Sequence, residues 1–212
     1  MMPPSPPRVY LVTDPSAWDA IPRQATAALE GLPPGRVAVQ LRARGVPARD
    51  ILAMARSLRA LTSAAGQWLV VNDRLDVALA VDADGVHLPA AGIPPREARR
   101  LLGPARLVAV SCHSAEDVAA ARDGGADFAT FGPIFATPSK LGHGPPVGLD
   151  RLREASVLGL PLVGLGGVDA GNGATVAAAG AWGLAAIRAW LGAADPGAVV
   201  RRMLAAVERG KG

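Results

Sequence analysis

Short apolar segments alternate with longer amphipathic segments along the whole chain. Each apolar segment has about four or five residues, is rich in Val, Leu or Ala, and lacks polar alternation, which is typical of a strand buried on both faces. The pattern predicts eight such strands, over residues 9–13, 37–41, 68–71, 85–88, 107–111, 128–131, 162–165 and 183–187.

The amphipathic segments between these strands have helical periodicity and recognisable ends. Pro47, Ser114 and the Asp195-Pro196 pair stand where helices begin, and Gly103 and Gly124 stand where helices stop. The clearest predicted helices cover residues 48–61, 94–102, 115–122 and 196–207.

Eight strands alternating with about eight helices predict an α/β fold, a single (β/α)8 TIM barrel with parallel strands and outer helices. The alternative is a doubly wound open sheet, which usually has a glycine-rich turn after its first strand. Here the first strand ends in Val12-Thr13-Asp14-Pro15, without glycine, so the barrel is favoured. We expect the barrel over residues 9–210 and a disordered, proline-rich leader over residues 1–8.

Composition limits the location and partners of the chain. Its 212 residues are 50% hydrophobic, enough for one large core. No apolar run approaches the roughly 18 residues of a membrane span, and the N-terminus lacks the apolar part of a secretion signal. The single Cys112 cannot form an internal disulfide. We therefore expect a cytoplasmic protein without a membrane partner.

The basic residues do not indicate a nucleic-acid partner. Only Lys140 and Lys211 are lysines; the other basic residues are arginines scattered along the chain, and the net charge is +4. Aromatic residues make up 4% of the chain and do not interleave with the arginines, as they would in a nucleic-acid surface.

Polar residues recur where the predicted strands end. In a parallel barrel these ends meet at one rim, which carries the chemistry of the fold. The rim residues are Asp14, Arg42, Arg44, Asn72, Asp73, His87, Ser111, His113, Thr137, Ser139, Lys140, Gly166, Gly167 and Arg188.

The last two strands predict a phosphate site. Gly166 and Gly167 end the seventh strand, and Arg188 follows the eighth. The loops after these two strands often bind phosphate through backbone N–H groups, and glycine permits close approach of the phosphate oxygens. A plain tight turn is the alternative.

A long loop follows the sixth strand and contains two hydroxyl residues and a lysine, Thr137, Ser139 and Lys140. Long loops in compact domains are usually functional, so residues 135–146 are interpreted as a lid over the rim. A solvated surface loop is the alternative.

Six ordered motifs resemble a known family. They read YLVTD at 10–14, VQLR at 39–42, VNDR at 71–74, DGVHL at 84–88, GPIFATPSK at 132–140 and LGGV at 165–168. With the end of the eighth strand, they resemble thiamine-phosphate synthase and its relative TenI, the thiazole tautomerase. The resemblance covers nearly the whole chain and implies a thiamin-biosynthesis enzyme, with a dimer or higher assembly.

For a synthase, the resemblance implies that a hydroxymethylpyrimidine diphosphate is joined to a thiazole phosphate, with Mg²⁺ as cofactor. It assigns Gln40, Arg42, Arg44, Asn72, Ser111 and Lys140 to the pyrimidine diphosphate. It assigns Thr137, Ser139, Gly167, Ile187 and Arg188 to the thiazole phosphate. Asp73 is the implied magnesium ligand.

Three positions depart from the synthase pattern. Arg44 replaces a lysine, Arg188 replaces a serine, and Gly92 stands where the second magnesium-binding aspartate is expected. One missing carboxylate weakens the clamp on a leaving diphosphate.

We therefore predict a TenI-like tautomerase that shifts a proton on a carboxylated thiazole phosphate without a cofactor. The hypothesis makes His113, Arg42 and Lys140 catalytic. His113 is the acid/base group in it, because a histidine titrates near neutral pH. Thiamine-phosphate synthase is the first alternative. A non-catalytic barrel that binds a phosphorylated ligand is the second.

Overall fold

Eight parallel strands close into a barrel in a computed structural model of the protein, which describes residues 5–137 and 145–210. The strand order follows the sequence, and the closing pair joins β1 to β8. The strands are β1 Val9–Val12, β2 Val37–Leu41, β3 Trp68–Asn72, β4 Gly85–Leu88, β5 Leu107–Cys112, β6 Phe128–Phe131, β7 Leu162–Gly164 and β8 Gly183–Ala186. The predicted TIM barrel is confirmed, and every predicted strand end lies within one residue of the observed one.

Helices cover the outside of this barrel. A 3-10 helix, Pro15–Ala20, follows β1. The α-helices of the described residues are α1 Ile21–Leu29, α2 Ala48–Ala64, α3 Leu75–Ala80, α4 Pro95–Leu102, α5 Ala115–Asp123, α6 Gly148–Ser156, α7 Gly173–Ala178, α8 Arg188–Leu191 and α9 Pro196–Arg209. None of these helices combines the length and apolar character that crossing a membrane requires.

Predicted helix signals work locally as expected. Ser114 accepts a hydrogen bond from the N–H of Asp117, whose side chain accepts from Ser114 in return, so the two form a capping box at the start of α5. Gly103 ends α4 with a positive φ of 74°, a conformation that favours glycine. The sequence therefore fixes these ends through short-range contacts.

Side chains alternate between two cores along each strand. Those facing the barrel axis, such as Tyr10, Val70 and Phe128, form an inner cluster, whereas their neighbours pack against the helices. At the carboxyl ends of β2 and β4 the inner positions are polar, and Gln40 and His87 are both buried. The interior thus changes from apolar at the bottom to polar at the rim that carries the site.

Two aspartates tie the opposite, amino-terminal end of the barrel together. Asp84 Oδ2 accepts a hydrogen bond from the N–H of Leu69 over 2.7 Å and from Arg59 Nη1 over 2.6 Å. Asp127 Oδ2 repeats this arrangement one strand pair further on, and it accepts from the N–H of Val108 and from Arg99. Each aspartate joins two strands to an outer helix, so both act on stability far from the rim.

The predicted disordered leader needs a correction at its end, because residues 6–8 contact the barrel. Trp182 Nε1 donates to the carbonyl of Pro6 over 3.0 Å, and Pro7 is buried. The guanidinium of Arg8 lies 3.6 Å from the centre of the Trp182 ring and donates to the Trp182 carbonyl. Stacking of a cation on an aromatic ring is favourable. No local sequence pattern predicts this contact between residues 8 and 182.

Candidate active site

A cavity of about 600 Å³ opens at the carboxyl ends of the strands. Its size suits a small ligand. The predicted site residues that line it are Gln40, Arg42, Arg44, Asn72, Ser111, His113, Thr137, Gly166, Gly167, Ile187 and Arg188. The barrel brings these residues together although 148 positions separate the first from the last. Ser139 and Lys140, predicted as site residues, lie outside the described residues.

The glycine pair after β7 is required by conformation and by space. Gly166 and Gly167 have φ angles of 96° and 67°, which side chains with a Cβ rarely adopt. A Cβ on Gly166 would lie 2.6 Å from Pro133, and one on Gly167 would lie 2.7 Å from the Cβ of Phe135. The pair therefore lets the chain after β6 approach β7 and contributes small, backbone-lined surface to the cavity.

Arg188, the first residue of α8, contacts the chain that follows β6. Its Nη2 donates a hydrogen bond to the hydroxyl of Thr137 over 2.8 Å. Both residues line the cavity, beside Gly166 and Gly167. A guanidinium, a hydroxyl and backbone N–H groups are the donors that phosphate binds, so the β7–β8 side of the cavity suits a phosphate group.

Two further arginines, Arg42 and Arg44, line the β2 side of the cavity. Burial and the neighbouring charge of Arg44 lower the pKa of Arg42, while the charge of Asp14 opposes this shift. Thr13 Oγ1 accepts a hydrogen bond from the N–H of Arg42 over 2.9 Å, which fixes the strand end that carries the arginine. This side therefore holds a second concentration of positive charge, suited to another anionic group.

Asp14, a predicted rim residue to which the sequence assigned no role in ligand binding, lines the cavity. Its carboxylate lies 3.8 Å from Arg42 Nη1 on the neighbouring strand. Hydrogen bonds from Ser16 hold the pKa of Asp14 below its ordinary value against the effect of burial, and the charges of Arg42 and Arg188 lower it further. Only closure of the barrel places β1 between β2 and β8, so no sequence spacing shows that Asp14 stands between two arginines.

Amide side chains lie deeper in the cavity, on β2 and β3. Gln40 Nε2 donates to Asn72 Oδ1 over 3.0 Å. The bond leaves the second amide proton of Gln40 and the amide nitrogen of Asn72 available to a ligand. Gln40 and Asn72 are therefore positioned as neutral donors below the arginines.

His87, one of the predicted rim residues, also lines this cavity, because its ring faces the inside of the barrel. Its Nδ1 lies 3.2 Å from the hydroxyl of Tyr10, and its Nε2 lies 2.8 Å from Ser111 Oγ. Burial lowers the pKa of His87 to about 3, so the imidazole is neutral at physiological pH.

His113 stands at the rim, where it is exposed. Its Nδ1 lies 2.5 Å from the carbonyl oxygen of Gly132. Because a carbonyl can only accept, Nδ1 carries the proton in this contact and Nε2 is the nitrogen available to a ligand. The backbone N–H of His113 donates to Asp117, which also caps α5, so the start of that helix holds the residue in place.

The predicted magnesium ligand lies at the edge of this arrangement. Asp73 is exposed, has a positive φ of 64°, and is not among the cavity-lining residues of the described ranges. Residues 5–137 and 145–210 contain no group of three histidine, cysteine or acidic residues able to hold a metal. A carboxylate beside a diphosphate site fits one contact to Mg²⁺, which takes its other ligands from phosphates and waters. Gly92, at the position of the second expected aspartate, supplies no carboxylate.

Comparison with known proteins identifies the family. The sequence model described as thiamine monophosphate synthase matches residues 9–190. The chain belongs to this family. It is 45% identical to the thiamine-phosphate synthase of Roseiflexus sp. (strain RS-1) over 202 residues, 94% of this chain and 84% of that protein. It is 44% identical to the thiamine-phosphate synthase of Moorella thermoacetica over 179 residues, 84% of this chain and 85% of that protein.

A solved structure agrees with this assignment. The thiamine phosphate pyrophosphorylase from Pyrococcus furiosus superposes with a TM-score of 0.85 at 32% identity, covering 97% of both chains. The family resemblance and the expectation of a thiamin-biosynthesis enzyme are confirmed. The predicted assembly and cytoplasmic location stay predictions.

The preference for a tautomerase is not supported. The relatives above are named synthases, which favours the alternative reading of the sequence. The preference gave too much weight to Gly92, the missing carboxylate. Because diphosphate supplies oxygen ligands of its own, loss of one protein carboxylate does not by itself remove magnesium binding.

Proposed function

We propose that the chain is a thiamine-phosphate synthase, which joins a hydroxymethylpyrimidine diphosphate to a thiazole phosphate and releases diphosphate. One observation carries the proposal: a single cavity is lined by cationic groups from two parts of the barrel, Arg42 and Arg44 at β2 and Arg188 with the glycine pair at β7–β8. Two phosphorylated substrates that must meet in one cavity require such a division. The named relatives support the same reaction.

In this proposal the β2–β5 side binds the pyrimidine diphosphate. Arg42 and Arg44 bind the diphosphate, which carries most of the negative charge, and their guanidinium groups can each engage two oxygens. Neutral donors for the same substrate are Gln40, Asn72 and Ser111, and Lys140 is assigned to it by the family resemblance.

The β7–β8 side binds the thiazole phosphate. Gly167 and Ile187 bring their backbone close to the phosphate, and Arg188 and Thr137 contribute a charged donor and a hydroxyl. Ser139 is assigned to the same phosphate by the family resemblance. Binding the two substrates from different sides orients the thiazole nitrogen towards the pyrimidine methylene carbon, which replaces an encounter in solution with a fixed approach.

The reaction breaks the bond between the methylene carbon and the diphosphate oxygen, and the electron pair leaves with the diphosphate. The thiazole nitrogen supplies the pair for the new carbon–nitrogen bond, so no proton transfer is needed. Positive charge around the diphosphate stabilises the leaving group as its charge grows. Magnesium, when bound, would add charge neutralisation at the diphosphate. The family resemblance assigns Asp73 to hold it.

The experiment is to supply both substrates with Mg²⁺ and measure diphosphate release and thiamine phosphate formation. We expect equal amounts of both products, a loss of rate on chelation of Mg²⁺, and a large loss in Arg42→Ala. Arg56→Ala is a matched control, because Arg56 is an exposed arginine on the outer helix α2. No diphosphate release, with His113-dependent isomerisation of a carboxylated thiazole phosphate instead, would contradict the proposal and restore the tautomerase hypothesis.

A further inference from the structure

A chain of three hydrogen-bonding side chains runs from the barrel core to the cavity. Tyr10 is fully buried at the bottom, where its ring packs edge-on against Phe128. Its hydroxyl contacts His87 Nδ1 over 3.2 Å, and His87 Nε2 contacts Ser111 Oγ over 2.8 Å. Ser111 is partly exposed and lines the cavity. The hydrogen bonds thus connect the buried Tyr10 hydroxyl, which cannot reach a ligand, to the Ser111 hydroxyl, which can.

The buried phenol decides the direction of these hydrogen bonds. A neutral imidazole has one N–H and one unprotonated nitrogen, and a phenol must place its own proton on an acceptor. Among the described residues, His87 is the hydrogen-bond partner of the Tyr10 hydroxyl. If Nδ1 carried the histidine proton, the buried Tyr10 proton would have no acceptor, which is costly. The phenol therefore donates to Nδ1, and the proton of His87 lies on Nε2.

The direction at Ser111 follows from this tautomer. Nε2–H donates to Ser111 Oγ, so that oxygen is already used as an acceptor and its own proton is free to point away from His87. Thr130 Oγ1 lies 3.5 Å from the same Nε2, at the limit of a hydrogen bond, and competes weakly. The proton of the Ser111 hydroxyl can therefore point into the cavity that Ser111 lines.

We propose that Tyr10 and His87 are positioning residues that fix Ser111 as a hydrogen-bond donor to an anionic oxygen of the substrate. In the opposite tautomer, Ser111 would donate to His87 and present only lone pairs, which repel a phosphate oxygen. The proposal rests on the proposed synthase reaction for the identity of that oxygen, which belongs to the diphosphate. The tautomer and the donor direction are independent of the reaction.

The low pKa of His87, about 3, supports the arrangement. The cause is burial, and the pKa of Tyr10 is raised well above its ordinary value for the same reason. Both groups are therefore neutral over the range in which enzymes work. A neutral relay keeps its direction of donation constant when pH changes within this range.

The first test reads the tautomer directly. Nitrogen-15 NMR of protein labelled at histidine gives separate signals for Nδ1 and Nε2, and the signals lost in His87→Gln identify this residue. We expect the Nε2-protonated form of His87 in the wild type, and a mixture of the two forms in Tyr10→Phe, which keeps the ring but removes the hydroxyl. The Nδ1-protonated form in the wild type would overturn the proposal whether or not the chain is a synthase.

The second test reads the effect on the reaction. Ser111→Ala should lower kcat by roughly ten- to a hundredfold with a smaller change in KM, because the bond strengthens as the diphosphate leaves. Tyr10→Phe should lose a part of the same factor, and the double variant should lose no more than Ser111→Ala alone. Losses that multiply in the double variant would contradict the relay, because independent effects combine in that way.

Rescue and control variants separate positioning from general damage. His87→Gln keeps an N–H donor near the place of Nε2, whereas His87→Leu has none, so we expect His87→Gln to retain clearly more activity than His87→Leu. Thr62→Val is the matched control for Tyr10→Phe, because it also removes one buried hydroxyl, on α2. Equal kcat values for Tyr10→Phe and Thr62→Val would contradict the role of the phenol.

Discussion

Arg188, the first residue of α8, donates a hydrogen bond from Nη2 to Thr137 Oγ1 over 2.8 Å, and this contact joins the start of α8 to the chain that leaves β6. The two residues are 51 positions apart in the sequence. Both residues line the cavity together with Gly166 and Gly167, so their contact holds a guanidinium and a hydroxyl at one place. Such preorganisation reduces the ordering that binding would otherwise require.

The first prediction concerns Arg188. Arg188→Ala should raise the KM for the thiazole phosphate by about ten- to a hundredfold, because a charged hydrogen bond is worth about 1.5–3 kcal/mol. Thr137→Val should have a smaller effect, since it removes a neutral donor. Initial rates with varied thiazole phosphate measure both. If Arg188→Ala raised the KM for the pyrimidine diphosphate alone, our assignment of the two sides would be reversed.

The second prediction concerns Gly167. Gly167→Ala should lower the free energy of unfolding by about 2–3 kcal/mol, since it adds strain at positive φ and a contact at 2.7 Å with Phe135. Gly31→Ala is the control, because Gly31 has a similar φ of 66° but a methyl group added there would meet no atom within 4 Å. It should lose only about 1 kcal/mol. Urea denaturation measures both, and equal losses would show that the contact has no effect.

The third prediction concerns the clamp formed by Asp127. Asp127→Asn should lower the free energy of unfolding by about 2 kcal/mol, because the carboxylate accepts from both Arg99 and the N–H of Val108. The activity should not change, since Asp127 precedes β6 at the end of the barrel opposite the cavity. Glu97→Gln breaks an exposed pair with Arg100 and should cost less than about 0.5 kcal/mol. Thermal denaturation compares the two variants.

The fourth prediction concerns pH. Burial lowers the pKa of His87 from its ordinary 6.5 to about 3, so the unfolded chain binds a proton in this interval that the folded chain does not. Acidification from about pH 6.5 therefore favours unfolding, by up to about 1.4 kcal/mol per pH unit from this residue. His87→Gln and His87→Leu should both have a flatter dependence of unfolding free energy between about pH 6.5 and 5. An unchanged slope in both would show that His87 titrates normally.

The local sequence pattern was enough to predict the secondary-structure elements and the family. Segments of four or five apolar residues predict strands because each strand is buried on both faces, and the predicted boundaries agree with β1–β8 within one residue. Ser114 and Gly103 predict helix ends because caps depend on neighbours within one turn. The rim position of Arg42, His113 and Gly167 also follows from sequence, since parallel strands place their carboxyl ends together.

The choice between tautomerase and synthase was harder to predict from the sequence. The absence of a carboxylate at Gly92 favoured a tautomerase when the residue was weighed by itself. The relatives named as synthases favour the other activity. A single missing metal ligand is weak evidence against a magnesium-dependent activity, because a substrate can supply metal ligands that the chain lacks.

The sequence by itself determined the barrel, its rim and the residue types available there, because these depend on periodicity and on short-range contacts. Only the tertiary structure decided which of those residues meet: Asp14 with Arg42, Arg188 with Thr137, Tyr10 with His87, and His87 with Ser111. Each of these four contacts joins residues in or after different strands of the closed barrel, and the last three span between 24 and 77 positions of sequence. Barrel closure and side-chain direction set such distances, and neither is encoded in any local segment.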